Sequence, residues 1–362
     1  MPATSAVLSY GPQDPFVVAD VDVDDPRRDE ILVRIEASGV CHTDLVNRGA
    51  GERDRPVLLG HEGAGVVEAV GAQIRSVRPG DRVVLSFRHC GTCANCRAGR
   101  PAYCRKAARL NQFGARADGT PRVTVDGLPV LDGFFGQSSL AGYALASEDN
   151  TVVVDPGTDP AIAAPLGCGF QTGAGAVLNL LRPRPGSALA VFGAGAVGLA
   201  GVLAALAADV QSVIVVEPSP VRRALAESLG VSAALDPSDD PVRAIRELTG
   251  GGVDYALDTT GHPTVLADAV AALAVGGAAV AVGLGSGVPD IDVRDLVMRG
   301  KSVHGCLEGD SIPATFIPQL LEMHARGRFP IERLVTVFPH ADVADALARQ
   351  RSGEVVKPVL TW

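Results

Sequence analysis

Four of the seven cysteines in this chain fall in the stretch HCGTCANCRAGRPAYC, residues 89–104. Cys90, Cys93, Cys96 and Cys104 are separated by two, two and seven residues, intervals short enough for a loop to turn around one ion. Thiolates bind Zn²⁺ well, and four of them fill its tetrahedral shell without leaving a position for substrate. Such a closed site holds structure and does no chemistry. Free surface thiols, a redox pair and an iron–sulfur cluster are the competing readings, and the four-cysteine spacing favours zinc over them.

A second donor set is scattered along the chain. Cys41 lies in GVCHTDL (39–45), His61 in GHEGAGVVEAVG (60–71) and Cys168 in PLGCGFQTGAGA (165–176). Two sulfurs and one nitrogen leave a fourth coordination position open, which is the arrangement of a catalytic zinc. Spacing alone does not bring these residues together. Taken singly, His61 reads as a satisfied loop histidine and Cys168 as a small buried hydrophobe.

From about residue 187 the texture changes. The apolar run 188–192 reads as a buried strand, and it meets Gly193-x-Gly195-x-x-Gly198 at the start of a small-residue helix. These glycines permit a tight turn and close backbone approach, so a pyrophosphate can sit at the helix N-terminus. A second strand, SVIVVE, ends in Glu217, 24 residues after Gly193, where a carboxylate can hold the adenosine ribose 2′-OH and favour NAD over NADP. Arg222 and Arg223 argue the other way if they offer charge to a 2′-phosphate, or are solvated helix residues. VDYALDTTG (253–261), AAVAVGLGSG (278–287) and KSVHGC (301–306) read as further strands, with HPTVLADAVAALAVGG as the helix between the first two. Repeated strand–helix units predict a doubly wound parallel sheet.

The elements that position these motifs belong to an ordinary globular chain. At 362 residues it exceeds one core and predicts two domains, with apolar residues at 47% and charged residues at 20%. The net charge of −9 argues against nucleic acid or an anionic membrane as partner. No apolar run is long enough to span a bilayer, and MPATSAVLSYGPQDPF lacks the regions of a signal peptide, so a cytoplasmic protein is expected. Disulfides are rare there, which again turns the cysteines toward metal.

The cysteine lobe, with GVCHTDL, GHEGAG, PLGCG and the glycine loop, resembles the zinc-dependent medium-chain alcohol dehydrogenases, and the likeness covers nearly the whole chain. The resemblance implies an α/β protein. It would have a GroES-like, mostly β catalytic domain (1–155) carrying a structural-zinc lobe (about 88–106), a Rossmann NAD-binding domain (156–305), and a return to the catalytic domain (306–362). It implies two zinc ions per chain: a catalytic one on Cys41, His61 and Cys168, and a structural one on Cys90, Cys93, Cys96 and Cys104. Glu62 matches a carboxylate that approaches the zinc, Asp44 the anion that orients the ligand histidine, and Thr43 the hydroxyl that takes the substrate proton. Thr43 and Asp44 also suit a helix N-terminal cap before LVNRG. His42 and Lys357 match basic positions beside the cofactor pyrophosphate, and Arg222 one that flanks the adenosine ribose. Ala196, Val197 and Val282 complete the implied cofactor contacts.

One position departs from the family. Many relatives carry a proton-relay histidine five residues after the first ligand cysteine, and here Val46 stands there. FFGQSSLAGYALA (134–146) and LEGDSIPATFIPQLLEMHARGRFPIERLV (307–335) look like the aryl- and benzyl-alcohol branch, whose relatives also accept terpenoid alcohols such as geraniol. The implied activity is hydride transfer between NAD and a primary, aryl or allylic alcohol–aldehyde pair, in a homodimer or homotetramer. A thiol-dependent formaldehyde dehydrogenase is the alternative within the superfamily. A zinc-stabilised nucleotide-binding protein without dehydrogenase activity is the alternative from another class.

Overall fold

The structure is a computed structural model that describes residues 2–114, 116 and 118–362. Two compact units divide the chain: Met1–Cys168 with Ile312–Leu321 and Val335–Trp362, and Gly169–Ser311 with Glu322–Leu334.

The first unit is built on two largely antiparallel sheets. One runs in the order Thr151–Val153, Arg82–Leu85, Gly63–Val70, Ile31–Gly39, Lys357–Thr361, Val335–Pro339, with Tyr143–Ala146 also on Ile31–Gly39. The other runs Val57–Leu58, Ala3–Ser9, Val17–Val23, Val123–Val125, Leu128–Pro129. Val, Ile and Leu suit a pleated surface, and Ile31–Gly39 is buried or half-buried along its whole length, as a central strand must be. Val7, Leu8, Leu58 and Leu140 fill one core, and Ile31, Ile35, Val67 and Leu85 another.

Strand register decides what meets at the sheet's end. Ser38 pairs with Gly63 and Gly39 with Val359. The residues just beyond these partners therefore emerge together: Cys41 after one strand, His61 and Glu62 before another, and Lys357 at the start of the third. Ser86 Oγ donates to Gly167 O at 2.7 Å, tying the Cys168 loop to the same end.

The second unit carries a six-stranded parallel sheet in the order Ala233–Leu235, Ser212–Val216, Ala188–Phe192, Val253–Asp258, Leu273–Ala281, Ser302–Gly305. Helices Pro220–Leu229, Pro241–Thr249 and Pro263–Ala271 each start on a proline, whose missing N–H costs nothing at a first-turn position. The order reverses at Ala188–Phe192, so the glycine loop leaves the sheet at the switch point where doubly wound folds take nucleotides.

Several sequence expectations shift. The helix expected over 262–277 stops at Ala271, because Leu273 pairs with Val253 and Gly276 takes a left-handed φ of 76°. The strand Ala233–Leu235 was not read from the sequence; it is three residues long and only half-buried. The compact units change at 168/169, 311/312, 321/322 and 334/335, where the sequence reading has 155/156 and 305/306. The difference follows from packing: Gly167 is held by Ser86, while Ser311 Oγ lies 3.0 Å from Gln171 Oε1.

Candidate active site

Cys41, His61, Glu62 and Cys168 each place a donor atom within 4.8 Å of the others. The strand Ile31–Gly39 delivers Cys41, which then serves as the residue before helix His42–Asn47. Asp44, fully buried, sits in that helix and organises the cluster with one carboxylate. Its Oδ2 accepts the Cys41 amide at 2.8 Å, while Oδ1 accepts the Gly60 amide at 3.0 Å and faces His61 Nδ1 at 2.9 Å. Asp44 thus caps the helix from inside and fixes the imidazole at the same time. Thr43 is half-buried on the same helix, His42 is exposed, and Val46 is 67% exposed.

The far side of the imidazole tests whether a metal fits. His61 Nε2 is buried and has no hydrogen-bond partner, although its ring is wholly enclosed. An orphaned buried nitrogen is costly unless something unseen takes its lone pair. With Nδ1 held by a carboxylate, Nε2 is the nitrogen left to ligate, as metal-binding histidines require. The neighbouring sulfurs are prepared in the same sense. The adjacent Cys168, against the opposing effect of burial, and then His61 and Lys357 hold the Cys41 thiol well below its usual range. Burial works against charge on His61, yet Asp44 and Cys41 outweigh it and raise the imidazole. These residues fit a divalent, thiolate-loving ion.

Glu62 is buried beside the cluster, and burial raises its carboxyl despite the cation facing it. That cation is Lys357, whose Nζ stands 2.9 and 2.8 Å from the two Glu62 oxygens and 3.2 Å from Val40 O. Lys357, expected beside a cofactor pyrophosphate, is buried with its ammonium on Glu62 and the Val40 carbonyl. A carboxylate this deep needs a counter-ion, and the register of Lys357–Thr361 supplies one.

The four-cysteine lobe closes as the spacing predicts. Cys90, Cys93, Cys96 and Cys104 form one metal-competent group. Backbone amides of Cys93 and Cys90 point at the sulfurs of Cys90 and Cys104, both at 3.3 Å, and the Lys106 amide reaches Cys104 at 3.4 Å. Hydrogen bonds from Thr92 bring the Cys90 thiol down to about 5, while burial and its sulfur neighbours push Cys96 up to about 12. Four sulfurs this close cannot all ionise without a cation among them. All seven cysteines are free of disulfides, and Cys306 is a buried thiol pushed up to about 12, chiefly by burial.

In the second unit Gly193 takes φ 96°, and a Cβ on Gly198 would lie 1.9 Å from Gly193 O. Gly195, Ala196 and Val197 lead into helix Ala196–Ala207, and Val282 donates its amide to Asp258 O at 2.9 Å. Glu217 sits beside the loop, accepting the Ala194 and Ser219 amides at 2.7 and 2.9 Å. Arg223 is spent on Glu217 O, Pro218 O and Asp236, while Arg222 is half-buried on the same helix.

Comparison with known proteins agrees with this geometry. Residues 27–156 match the alcohol dehydrogenase GroES-like domain and residues 196–326 the zinc-binding dehydrogenase domain. A geraniol dehydrogenase of Castellaniella defragrans is 46% identical over 96% of this chain and 95% of its own. The chain belongs to the zinc-type alcohol dehydrogenase family. Two solved structures share the dehydrogenase fold across almost their whole length. An alcohol dehydrogenase zinc-binding domain protein from Burkholderia ambifaria is 46% identical, with TM-score 0.94 over 99% of both chains. A benzyl alcohol dehydrogenase from Acinetobacter calcoaceticus is 37% identical, with TM-score 0.93 over 100% of this chain and 99% of that one.

Some residues of this dehydrogenase escaped the sequence reading. Phe135 stacks on His61 with ring centroids 4.6 Å apart, and Phe134 meets it edge-on at 5.3 Å. Gln137 bonds the backbone on either side of Glu62. The signal was present as FFGQSS, but it read only as a branch marker. Thr259 Oγ1 donates to Phe192 O at 3.0 Å under the glycine loop, with no sequence signal beyond a hydroxyl after a strand.

Proposed function

We propose that this alcohol dehydrogenase is NAD-dependent, holds two zinc ions per chain, and interconverts primary aryl or allylic alcohols with their aldehydes. Cys41, His61 and Cys168 would hold the catalytic ion, which supplies Lewis acidity toward an alcohol oxygen. The four-cysteine lobe would hold the second as a structural staple. NAD supplies the hydride acceptor. The observation that carries the reading is the buried, unpartnered Nε2 of His61 beside two thiols, with Asp44 fixed behind it.

The remaining residues take roles that follow from their positions. Thr43, two residues from Cys41, offers the hydroxyl that orients the substrate and receives its proton. Val46 provides no base, so the proton leaves Thr43 toward solvent or the cofactor ribose without a terminal histidine. Lys357 pairs with Glu62 beside the metal donors, where that carboxyl would take part in ligand exchange.

Gly193, Gly195 and Gly198 would take the pyrophosphate, with Ala196, Val197 and Val282 in the cofactor site. His42 and Arg222 would contribute charge to it. Glu217 would take the ribose hydroxyls, and the pairing of Arg223 with Asp236 withdraws one of the two cations that could favour a 2′-phosphate. This supports NAD.

The substrate class rests on what geraniol and benzyl alcohol have in common: a primary carbinol carbon next to an sp² carbon. The edge strand Ser302–Gly305 is largely exposed, with Val293, Val297 and Met298 exposed nearby in sequence, which supports pairing of two copies through this edge. Seven cysteines outside any disulfide suit a reducing, cytoplasmic setting. No single helix among the described residues is long and apolar enough to cross a membrane.

The test is a panel of benzyl, cinnamyl and geranyl alcohols with ethanol, each with NAD and NADP, alongside metal analysis. Aryl and allylic alcohols with NAD should give the highest kcat/KM, with two zinc ions per chain. Ethanol outperforming them would reject the substrate class. An NADP preference would reject the role of Glu217.

A further inference from the structure

The segment GFFGQS, 133–138, holds two non-glycine residues, Phe135 and Ser138, in the left-handed region. Gly133, Phe135, Gly136 and Ser138 all take positive φ, at 81°, 51°, 64° and 51°. Glycines bear this freely, whereas a phenylalanine in the left-handed region persists only where its surroundings over-determine it.

The surroundings do so here. Gln137 is 3% exposed; its Nε2 donates to His61 O at 3.0 Å and Ser86 O at 3.1 Å, and its Oε1 accepts the Gly63 amide at 3.1 Å. Ser138 Oγ donates to Leu58 O at 2.8 Å and accepts the Phe134 amide at 3.0 Å. Asn150 Nδ2 donates to the carbonyls of Phe135 and Gly136, both at 3.2 Å. Even the approach of the two segments is close: a Cβ on Gly63 would stand 2.6 Å from the Ser139 Cβ. The loop is therefore fastened to the backbone of residues 58–63, on both sides of His61.

What the strain achieves is the placement of one ring. Phe135 lies against the imidazole face, 4.6 Å away at an interplanar angle of 26°, while Phe134 closes an edge at 89°. Phe113 backs Phe134 at 4.8 Å. Asp44 holds His61 at Nδ1, so with the Cβ–Cγ tether only small torsions of the ring out of its plane remain. The phenyl ring packed on its face resists those torsions.

We infer that Phe135, anchored by Gln137, is a positioning residue that sets the plane of the His61 imidazole and so governs how tightly the Cys41–His61–Cys168 cluster keeps its metal. This rests on the reading of that cluster as a zinc site. Phe135 would act through His61 and need not touch substrate.

The experiment uses the metal-loaded protein, with Co²⁺ exchanged into the cluster so that its d–d and thiolate charge-transfer bands report ligand geometry. Phe135→Leu keeps apolar volume and loses the stack. It should keep its four-cysteine zinc and its thermal transition, shift the cobalt bands, and bind the catalytic-site metal about 10- to 100-fold more weakly in chelator competition. Phe135→Tyr should restore both.

Wild-type bands and affinity in Phe135→Leu would overturn the inference, as would a Tyr variant as defective as Leu. If Phe135→Leu does not fold, Phe135→Asn, which tolerates left-handed backbone, reads the same bands. Failure of both to fold would assign the loop a purely structural role and overturn the inference. Wild-type protein with only one metal per chain would instead reject the zinc reading on which this rests.

Discussion

Replacing Asp44 with Asn is the sharpest perturbation of the cluster, because one buried carboxylate serves three donors. Cys41 N–H, Gly60 N–H and His61 Nδ1 lie 2.8, 3.0 and 2.9 Å from its two oxygens. Asparagine keeps one accepting oxygen and turns the other into an NH₂ donor. In the better orientation that oxygen faces Gly60 and His61, and the Cys41 amide is left against a donor. An orphaned buried donor costs about 1–3 kcal/mol, so the helix entry loosens by about that amount. In the worse orientation the NH₂ faces His61 Nδ1, which must then accept. The ring proton moves to Nε2, and the ligating lone pair is lost.

Loss of the anion also lowers imidazole basicity, so metal affinity at this site should fall about 10- to 100-fold. The assay is zinc-buffered competition on the isolated protein, with the four-cysteine zinc counted as an internal reference and the thermal transition followed in parallel. Asp44→Asn protein that holds the catalytic-site zinc within twofold of wild type would refute the assignment of Asp44 as the group that prepares His61.

Other outcomes follow from the same geometry. Gly198→Ala drives a methyl into Gly193 O, at 1.9 Å, and should weaken NADH binding at least tenfold by fluorescence titration while both zinc ions stay in place. Cys104→Ser opens the closed lobe, so elemental analysis should find one zinc fewer per chain and calorimetry a lower thermal transition for the first unit. Glu30 is pulled below its usual range because the Arg116 guanidinium and the Arg27 amide outweigh its burial. A depressed carboxyl contributes stability that is present above its unfolded pKa of about 4.3 and is lost as pH falls through the folded value. Glu30→Gln should therefore destabilise the protein at pH 7 in denaturant unfolding, by about 1–3 kcal/mol because Arg116 keeps Asp24 as a partner. The difference from wild type should shrink below about pH 4. A gap that stays constant with pH would refute the ion-pair account.

Fold was legible in the sequence where it is written locally. The cysteine lobe and the glycine loop are short segments whose function depends on neighbours a few residues away, so spacing alone nearly defines them. Strands such as 188–192 and SVIVVE were legible because a buried parallel strand must be apolar throughout. The helix overextended to 277 shows the limit: AVGG suits either state, and the choice fell to pairing between Leu273 and Val253.

By itself, then, the sequence determined the donor types, the four-cysteine spacing, the glycine loop and the acidic strand end that follows it, and the strand–helix alternation. Tertiary structure alone decided which distant residues meet. Glu62 and Lys357 are 295 positions apart, and His61 and Gln137 are 76 apart. Neither pairing has a periodicity or an interval to announce it. The physical reason is register: Ser38 opposite Gly63 and Gly39 opposite Val359 bring three strand ends to one point. A slip of one residue would turn every side chain of the strand to the other face and disperse the cluster.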